Sequence, residues 1–315
     1  MMRLFKWKKS VAEAEGEGTD ESGAAIPAET SLELSQVGPY EIIAPIGTGG
    51  MGTVYKAIDR RRDMTVAVKV LDRQFDLDKK KRKRDYLGRE ILVAASFSHP
   101  CIVRYSKEII EQADVNNNIR RCLIMEYVDG GDMRQCIQNN SLTLQQKLEV
   151  CIKLCEGLDF LHQRGIVHRD IKPANFLFSR DLRNVKICDF GLSKSNASWR
   201  TRWVKEGGGT RAYMSPEQIN NKGRGLDARS DIFSFGITMY ELFSGRHPCP
   251  GQDSKEIMRQ IRGGYKFEPP STHNAEIPPA LDRIVLKALR RQPERRYQSM
   301  TEMVLDLTRM AETRI

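Results

Sequence analysis

The chain has 315 residues, 40% hydrophobic and 29% charged, a globular balance that excludes chain-wide disorder, a collagen-like repeat and a coiled-coil fibre. Its longest apolar stretch, Ile232 to Phe243, is broken by Ser234, Gly236, Thr238 and Glu241 and falls short of the ~18–20 residues of a membrane span. The formal charge of +10 raises nucleic acid as a partner, but residues 1–38 are net acidic, with four basic against seven acidic groups, and six consecutive cations, Lys79 to Arg84, dominate the surplus elsewhere.

Met1 to Lys9 carries charges with no apolar core behind them, which predicts no secretory signal. Residues 10–38 are rich in Glu, Ala, Gly, Ser and Thr, and residues 1–38 as a whole read as a disordered charged tail. Such a segment cannot bury enough surface to offset its ordering entropy. From Tyr40 short β-type runs follow at 40–45, 54–59, 65–71, 101–105 and 121–127, with one helix at about 89–97. No aromatic residue interleaves the Lys79–Arg84 run and no nucleic-acid motif accompanies it, so a solvated or regulatory basic patch is the preferred reading. Beyond residue 130 the periodicity turns helical. Thr143-x-x-Gln146 is a capping box opening a helix to about His162, and helices at 231–244, 254–262 and 279–290 follow. In the last, Leu281, Ile284, Val285, Ala288 and Leu289 make one apolar face. Seven scattered cysteines, with no Cys-x-x-Cys, argue against a disulfide framework or zinc site and for a reducing, cytoplasmic compartment. Cys151 and Cys155 share a helical face with Leu148, Ile152 and Leu158 and read as core thiols.

Three motifs carry chemistry. Gly47-Thr48-Gly49-Gly50-Met51-Gly52 is a G-x-G-x-x-G pattern, which alone could open a Rossmann helix. The β-type run Thr53-Val54-Tyr55 that follows places the glycines in a hairpin instead, where backbone N–H groups can approach phosphate oxygens. In Val66-Ala67-Val68-Lys69 the alternation of a strand puts Ala67 and Lys69 on one face, a small residue for a flat ring beside an ammonium for phosphates. The third is His168-Arg169-Asp170-Ile171-Lys172-Pro173-Ala174-Asn175, followed by Cys188-Asp189-Phe190-Gly191.

Together these motifs resemble the eukaryotic-type serine/threonine protein kinases, and the wording Gly-Met-Gly-x-Val-Tyr-x-Ala and Tyr-Met-Ser-Pro-Glu-Gln resembles their bacterial branch. The resemblance runs from about Tyr40 to Met310. It implies an α+β, bilobal fold over residues 39–312. A small β-rich N-lobe with one key helix would occupy 39–128 and a larger, mainly helical C-lobe 129–312. It also implies ATP with Mg²⁺ or Mn²⁺, protein substrates bearing Ser or Thr, and self-association for trans-autophosphorylation.

By the same resemblance Lys69 would hold the α- and β-phosphates, steadied by Glu90. Asn175 and Asp189 would ligate the metal, and Asp170 would orient the substrate hydroxyl and take its proton. Lys172 and Thr210 would favour Ser/Thr substrates. Ile46, Val54, Ala67 and Leu177 would sandwich adenine under the Gly47–Gly52 loop, Met125 would stand as gatekeeper, Glu126 and Val128 would present hinge backbone, and Asp132 would meet the ribose. Glu217 would pair with Arg296, and Asp231 would support the catalytic-loop backbone. Arg169 would clamp an anion on the activation segment, either a phosphate on Thr201 or the carboxylate of Glu206. Gly88 either weakens the helix that carries Glu90 or begins it. An inactive kinase-fold scaffold would be expected to lack Lys69, Asp170 or Asp189, and all three are present.

Overall fold

The alternation in the first third of the chain resolves into strands of a single antiparallel sheet. The computed structural model describes residues 34–49, 52–72, 86–114, 116–190, 209–220 and 225–312, excepting the side chains of 86–90 and 209–210. The sheet comprises β1 (Gln36–Val37), β2 (Tyr40–Gly49), β3 (Gly52–Asp59), β4 (Met64–Leu71), β5 (Tyr105–Ala113) and β6 (Ile119–Glu126), in the order β1-β2-β3-β4-β6-β5. Helix α1 (Tyr86–Ala95) enters between β4 and β5 in the chain, and its Ile91 packs on Leu71 and Leu123. In β4 the strand period divides the side chains. Val66, Val68 and Val70 join a cluster with Tyr40, Ile42, Tyr55 and Ile124, while Ala67 faces a second cluster with Met125 and Phe190.

The helical lobe contains α2 (Met133–Gln138), α3 (Leu144–His162), the short hairpin of β7 (Phe176–Phe178) and β8 (Val185–Ile187), α4 (Pro216–Asn220), α5 (Ala228–Ser244), α6 (Ser254–Gly263), α7 (Pro279–Ala288) and α8 (Met300–Glu312). Both reciprocal bonds of the capping box are present at the start of α3. Thr143 Oγ1 accepts from the Gln146 N–H at 3.3 Å, and Gln146 Oε1 accepts from the Thr143 N–H at 2.9 Å. Helix α5 is buried over nearly its whole length, capped by Asp227 and stopped at Gly245, whose φ is 73°. The apolar run at 232–243 is thus the central helix of the lobe, and no helix among the described residues is long and apolar enough to cross a membrane. All seven cysteines are free and buried, and burial pushes the Cys151 and Cys155 thiols well up.

Several expected boundaries move. Residues 34–38 do not belong to the expected tail, since Leu34 and Val37 are buried and β1 pairs with β2 through Val37 opposite Tyr40. In the run 101–105, Cys101, Ile102 and Val103 are buried but do not form a strand. Only Ile102 bridges, to Ile187, and the strand proper begins at Tyr105. Helix α1 starts at Tyr86, so Gly88 lies inside its first turn and does not begin it. Helix α8 lies beyond the last helix that the periodicity predicts, at 279–290. Residues 1–33 and the Lys79–Arg84 run lie outside the described residues.

Candidate active site

The glycine hairpin closes with Gly47 opposite Val54, Thr48 opposite Thr53 and Gly49 opposite Gly52; Gly50 and Met51 at its tip lie outside the described residues. Gly52 has φ of +137°, and a Cβ there would fall 1.9 Å from the Val70 carbonyl oxygen, so the turn requires glycine. Nothing stands within 4 Å of a Cβ placed on Gly47 or Gly49, which leaves their outer face open.

Beneath the hairpin the sheet and the helical lobe meet in one apolar cluster. It brings together Val54, Ala67, Met125, Val128 and Leu177 with Cys188 and Phe190. Ile46, expected in the same sandwich, is exposed and stands outside that cluster. The Glu126 carboxylate is taken by Lys186 Nζ at 2.8 Å and the Arg104 N–H at 3.1 Å, so this residue offers a ligand its backbone and not its charge. Asp132 caps α2, accepting from the Arg134 and Gln135 N–H groups, and pairs with the Arg134 guanidinium at 2.8 Å. Its carboxylate is shared with those donors, an arrangement the sequence did not indicate.

Lys69, only 4% exposed, points from β4 to Asp189, with Nζ 2.6 Å from Oδ1. Glu90 lies in the first turns of α1 and Thr210 in the short turn 209–213, and the side chains of both fall outside the described residues. The catalytic-type loop is built around two buried groups. Asp231, on α5, accepts the N–H groups of His168 at 2.7 Å and Arg169 at 2.8 Å, and meets His162 Nε2 at 2.8 Å. These bonds hold Arg169 at φ +67°, a conformation rare outside glycine. His168 Nδ1 accepts the Asp170 N–H at 3.3 Å, so its Nε2 carries the proton donated to the Cys188 carbonyl at 3.0 Å. Burial lowers the His168 pKa against the pull of Asp231, which keeps that ring neutral.

Asp170 is 4% exposed. Asn175 Nδ2 donates to its carbonyl at 2.6 Å and to Oδ2 at 2.8 Å, and Lys172 Nζ lies 3.4 Å from Oδ2. With its amide N–H groups spent on Asp170, Asn175 turns its amide oxygen to the remaining use. That oxygen and the Asp189 carboxylate are hard donors of the kind Mg²⁺ selects. Among the described residues no three His, Cys, Asp or Glu gather to hold a metal alone. A divalent cation here would therefore complete its shell with phosphate and water, as Mg²⁺ commonly does with a nucleotide. The donor set fits.

Farther out, Arg296 (2% exposed) grips Glu217 in a two-pronged ion pair at 2.7 and 2.8 Å. Burial pushes the Glu217 carboxyl up, but the bonds from Arg296 outweigh it and hold the pKa below its ordinary value. Gln218 Nε2 donates to the Arg169 carbonyl at 3.0 Å, a tie between α4 and the loop that no motif signalled. The Arg169 Nε is buried and has no hydrogen-bond partner among the described residues. Thr201 and Glu206, its expected partners, lie outside them.

Comparison with known proteins yields the same picture. The protein kinase domain profile matches residues 40–306. The serine/threonine-protein kinase PknB of Mycolicibacterium smegmatis is 37% identical over 276 residues, 87% of this chain and 43% of that protein. A probable serine/threonine-protein kinase of Streptomyces coelicolor is 37% identical over 278 residues, 86% and 39% of the two chains. This chain therefore spans less than half the length of these relatives. Among solved structures, Rad53 residues 1–466 in complex with AMP-PNP matches with a TM-score of 0.66 at 29% identity, over 84% of this chain and 64% of that one. A cysteine-to-alanine mutant of the PknI kinase domain of Mycobacterium tuberculosis matches in fold at 24% identity, with a TM-score of 0.64 over 88% of this chain and 97% of that one.

Proposed function

The chain belongs to the protein kinase domain family, and from that premise we propose that it transfers the γ-phosphoryl group of ATP to Ser and Thr hydroxyls of proteins. The observation that carries this reading is the convergence of Lys69, Asp170, Lys172, Asn175 and Asp189 where the two lobes meet, each of these five hydrogen-bonded or ion-paired to another of them. Adenine would lie among Val54, Ala67, Met125 and Leu177, with the hinge backbone at Glu126 and Val128 beside it. Asp132 would reach the ribose only by sharing its carboxylate with Arg134.

Phosphoryl transfer passes through a loose, charge-spread transition state, so positioning and neutralisation supply most of the catalysis. Lys69 holds the α- and β-phosphates and keeps Asp189 in register. Mg²⁺ or Mn²⁺, held by Asp189 and Asn175, would neutralise the phosphate oxygens. Asn175 and Lys172 fix the Asp170 carboxylate so that it accepts the proton as the substrate oxygen bonds to the γ-phosphorus. The bond from that phosphorus to the β–γ bridging oxygen breaks, and ADP leaves with the electron pair. Lys172 neutralises the charge that develops on the transferred group. Lys172 and Thr210 favour Ser and Thr acceptors over Tyr. The Arg169 Nε, buried without a partner among the described residues, supports an anion clamp that a phosphate on Thr201 or the Glu206 carboxylate would fill, with trans-autophosphorylation between copies as the route to the former.

Incubation with γ-labelled ATP and Mg²⁺ or Mn²⁺, followed by mapping of labelled residues, tests the reading. Lys69→Met should cut autophosphorylation at least a few hundredfold, equivalent to about 3–4 kcal/mol of transition-state stabilisation. Asp170→Asn should be as severe while ATP still binds. Comparable activity in either variant would overturn the assigned roles.

A further inference from the structure

Tyr105 opens β5, is 4% exposed, and belongs to none of the motifs. Its ring lies edge-on to Phe190, with centroids 5.6 Å apart and planes at 89°, and packs in the cluster of Ala67, Met125 and Cys188. Its hydroxyl oxygen accepts the main-chain N–H of Asp189 at 3.1 Å. One side chain therefore grips two successive residues of the Asp189-Phe190 turn, the first through its oxygen and the second through its ring. Asp189 sits at φ +59°, a left-handed conformation that a residue other than glycine keeps only when its surroundings enforce it. From that conformation its carboxylate meets Lys69 Nζ at 2.6 Å.

We propose that Tyr105 is a positioning residue for the metal-binding carboxylate, its hydroxyl holding the Asp189 main chain in the left-handed conformation that aims that carboxylate at Lys69 and the divalent cation. The proposal rests on the kinase reading above, through the role of Asp189 toward the cation. Phenylalanine would supply the same packing against Phe190, but only the hydroxyl supplies the acceptor. Packing and positioning are thus separable by a single oxygen atom.

The test is calorimetric titration of the full chain with ADP, once in EDTA and once with excess Mg²⁺, for the parent, Tyr105→Phe and Tyr105→Leu. Urea unfolding of each variant establishes that it is folded. Loss of one hydrogen bond should shrink the Mg²⁺-dependent gain in ADP affinity about fivefold in both variants, leaving the affinity in EDTA near that of the parent. A gain that is unchanged in Tyr105→Phe overturns the proposal. So does an equal loss in EDTA and in Mg²⁺, which would make the residue a packing element alone. Absence of any Mg²⁺-dependent gain in the parent chain overturns the nucleotide reading itself, and this proposal with it.

Discussion

Asp231→Asn is an isosteric change whose cost can be worked from three hydrogen bonds. In the native chain one buried carboxylate (1% exposed) accepts from two main-chain N–H groups and from His162. Asparagine keeps one oxygen and turns an NH₂ group toward a donor it cannot satisfy. An unsatisfied buried N–H costs about 1–3 kcal/mol, and a bond to the remaining neutral oxygen is weaker by about 1 kcal/mol than one to a carboxylate. The sum is roughly 3 kcal/mol of stability, a large share of a typical domain's 5–15. Part of that loss is avoidable if Arg169 leaves its left-handed conformation, and a relaxing Arg169 carries its neighbour Asp170 with it. A displacement near 1 Å at a reacting group costs on the order of a hundredfold in rate. Urea unfolding and single-turnover transfer at saturating ATP measure the two effects separately. His162→Ala, which removes only the third bond, should cost about 1 kcal/mol and change the rate little. The reasoning is refuted if Asp231→Asn unfolds with its parent and turns over within twofold of it, or if His162→Ala proves the more damaging variant.

The glycine hairpin gives a contrast within one turn. Gly52→Ala must push a Cβ away from the Val70 carbonyl, at a backbone cost of about 1–3 kcal/mol that opens the hairpin and should raise the KM for ATP about tenfold, whereas Gly47→Ala meets open space. A KM more sensitive at Gly47 than at Gly52 would show that the hairpin geometry is not what the nucleotide feels. The Glu217–Arg296 pair sets a pH dependence of stability. Because the folded pKa of Glu217 lies below 4.5, its contribution is fully present above that value and is lost as the pH falls through the folded pKa. Urea midpoints from pH 7 down to pH 3 should therefore fall less steeply in Glu217→Gln than in the parent, and parallel curves would exclude the pair as a source of acid sensitivity.

The parts of the site that were legible in the sequence are those whose chemistry is written in one short run. Asp170, Lys172 and Asn175 lie within six residues, and their mutual bonds follow from that closeness. The strand reading failed where apolarity and pairing part company. Cys101, Ile102 and Val103 are buried, yet their backbone is held mainly to β8, through Val103 N–H to Ile187 at 2.9 Å and Ile187 N–H to Cys101 at 2.8 Å. The neighbouring stretch that does form a strand, Tyr105–Ala113, carries Lys107, Glu108 and Glu111 because it is an edge strand, and exposed edges favour charge. Hydrophobic pattern reports burial, and burial is only half of what makes a strand.

Contacts between distant residues divide in the same way. Glu217 and Arg296, 79 positions apart, were legible only through resemblance, since no spacing rule links them. Tyr105 and Asp189, 84 apart, had neither a rule nor a resemblance to announce them. A phenol accepting a main-chain N–H leaves no trace in residue type, because any tyrosine could pack in that cluster with its hydroxyl elsewhere. What distinguishes this one is the left-handed backbone on the other side of the bond, a property of conformation and not of composition. The chemistry of the site is thus carried by residues chosen for what their side chains do, while its geometry is carried by residues such as Asp231, Gln218 and Tyr105, which act on the backbone of their neighbours. The first kind is read from letters; the second requires the fold.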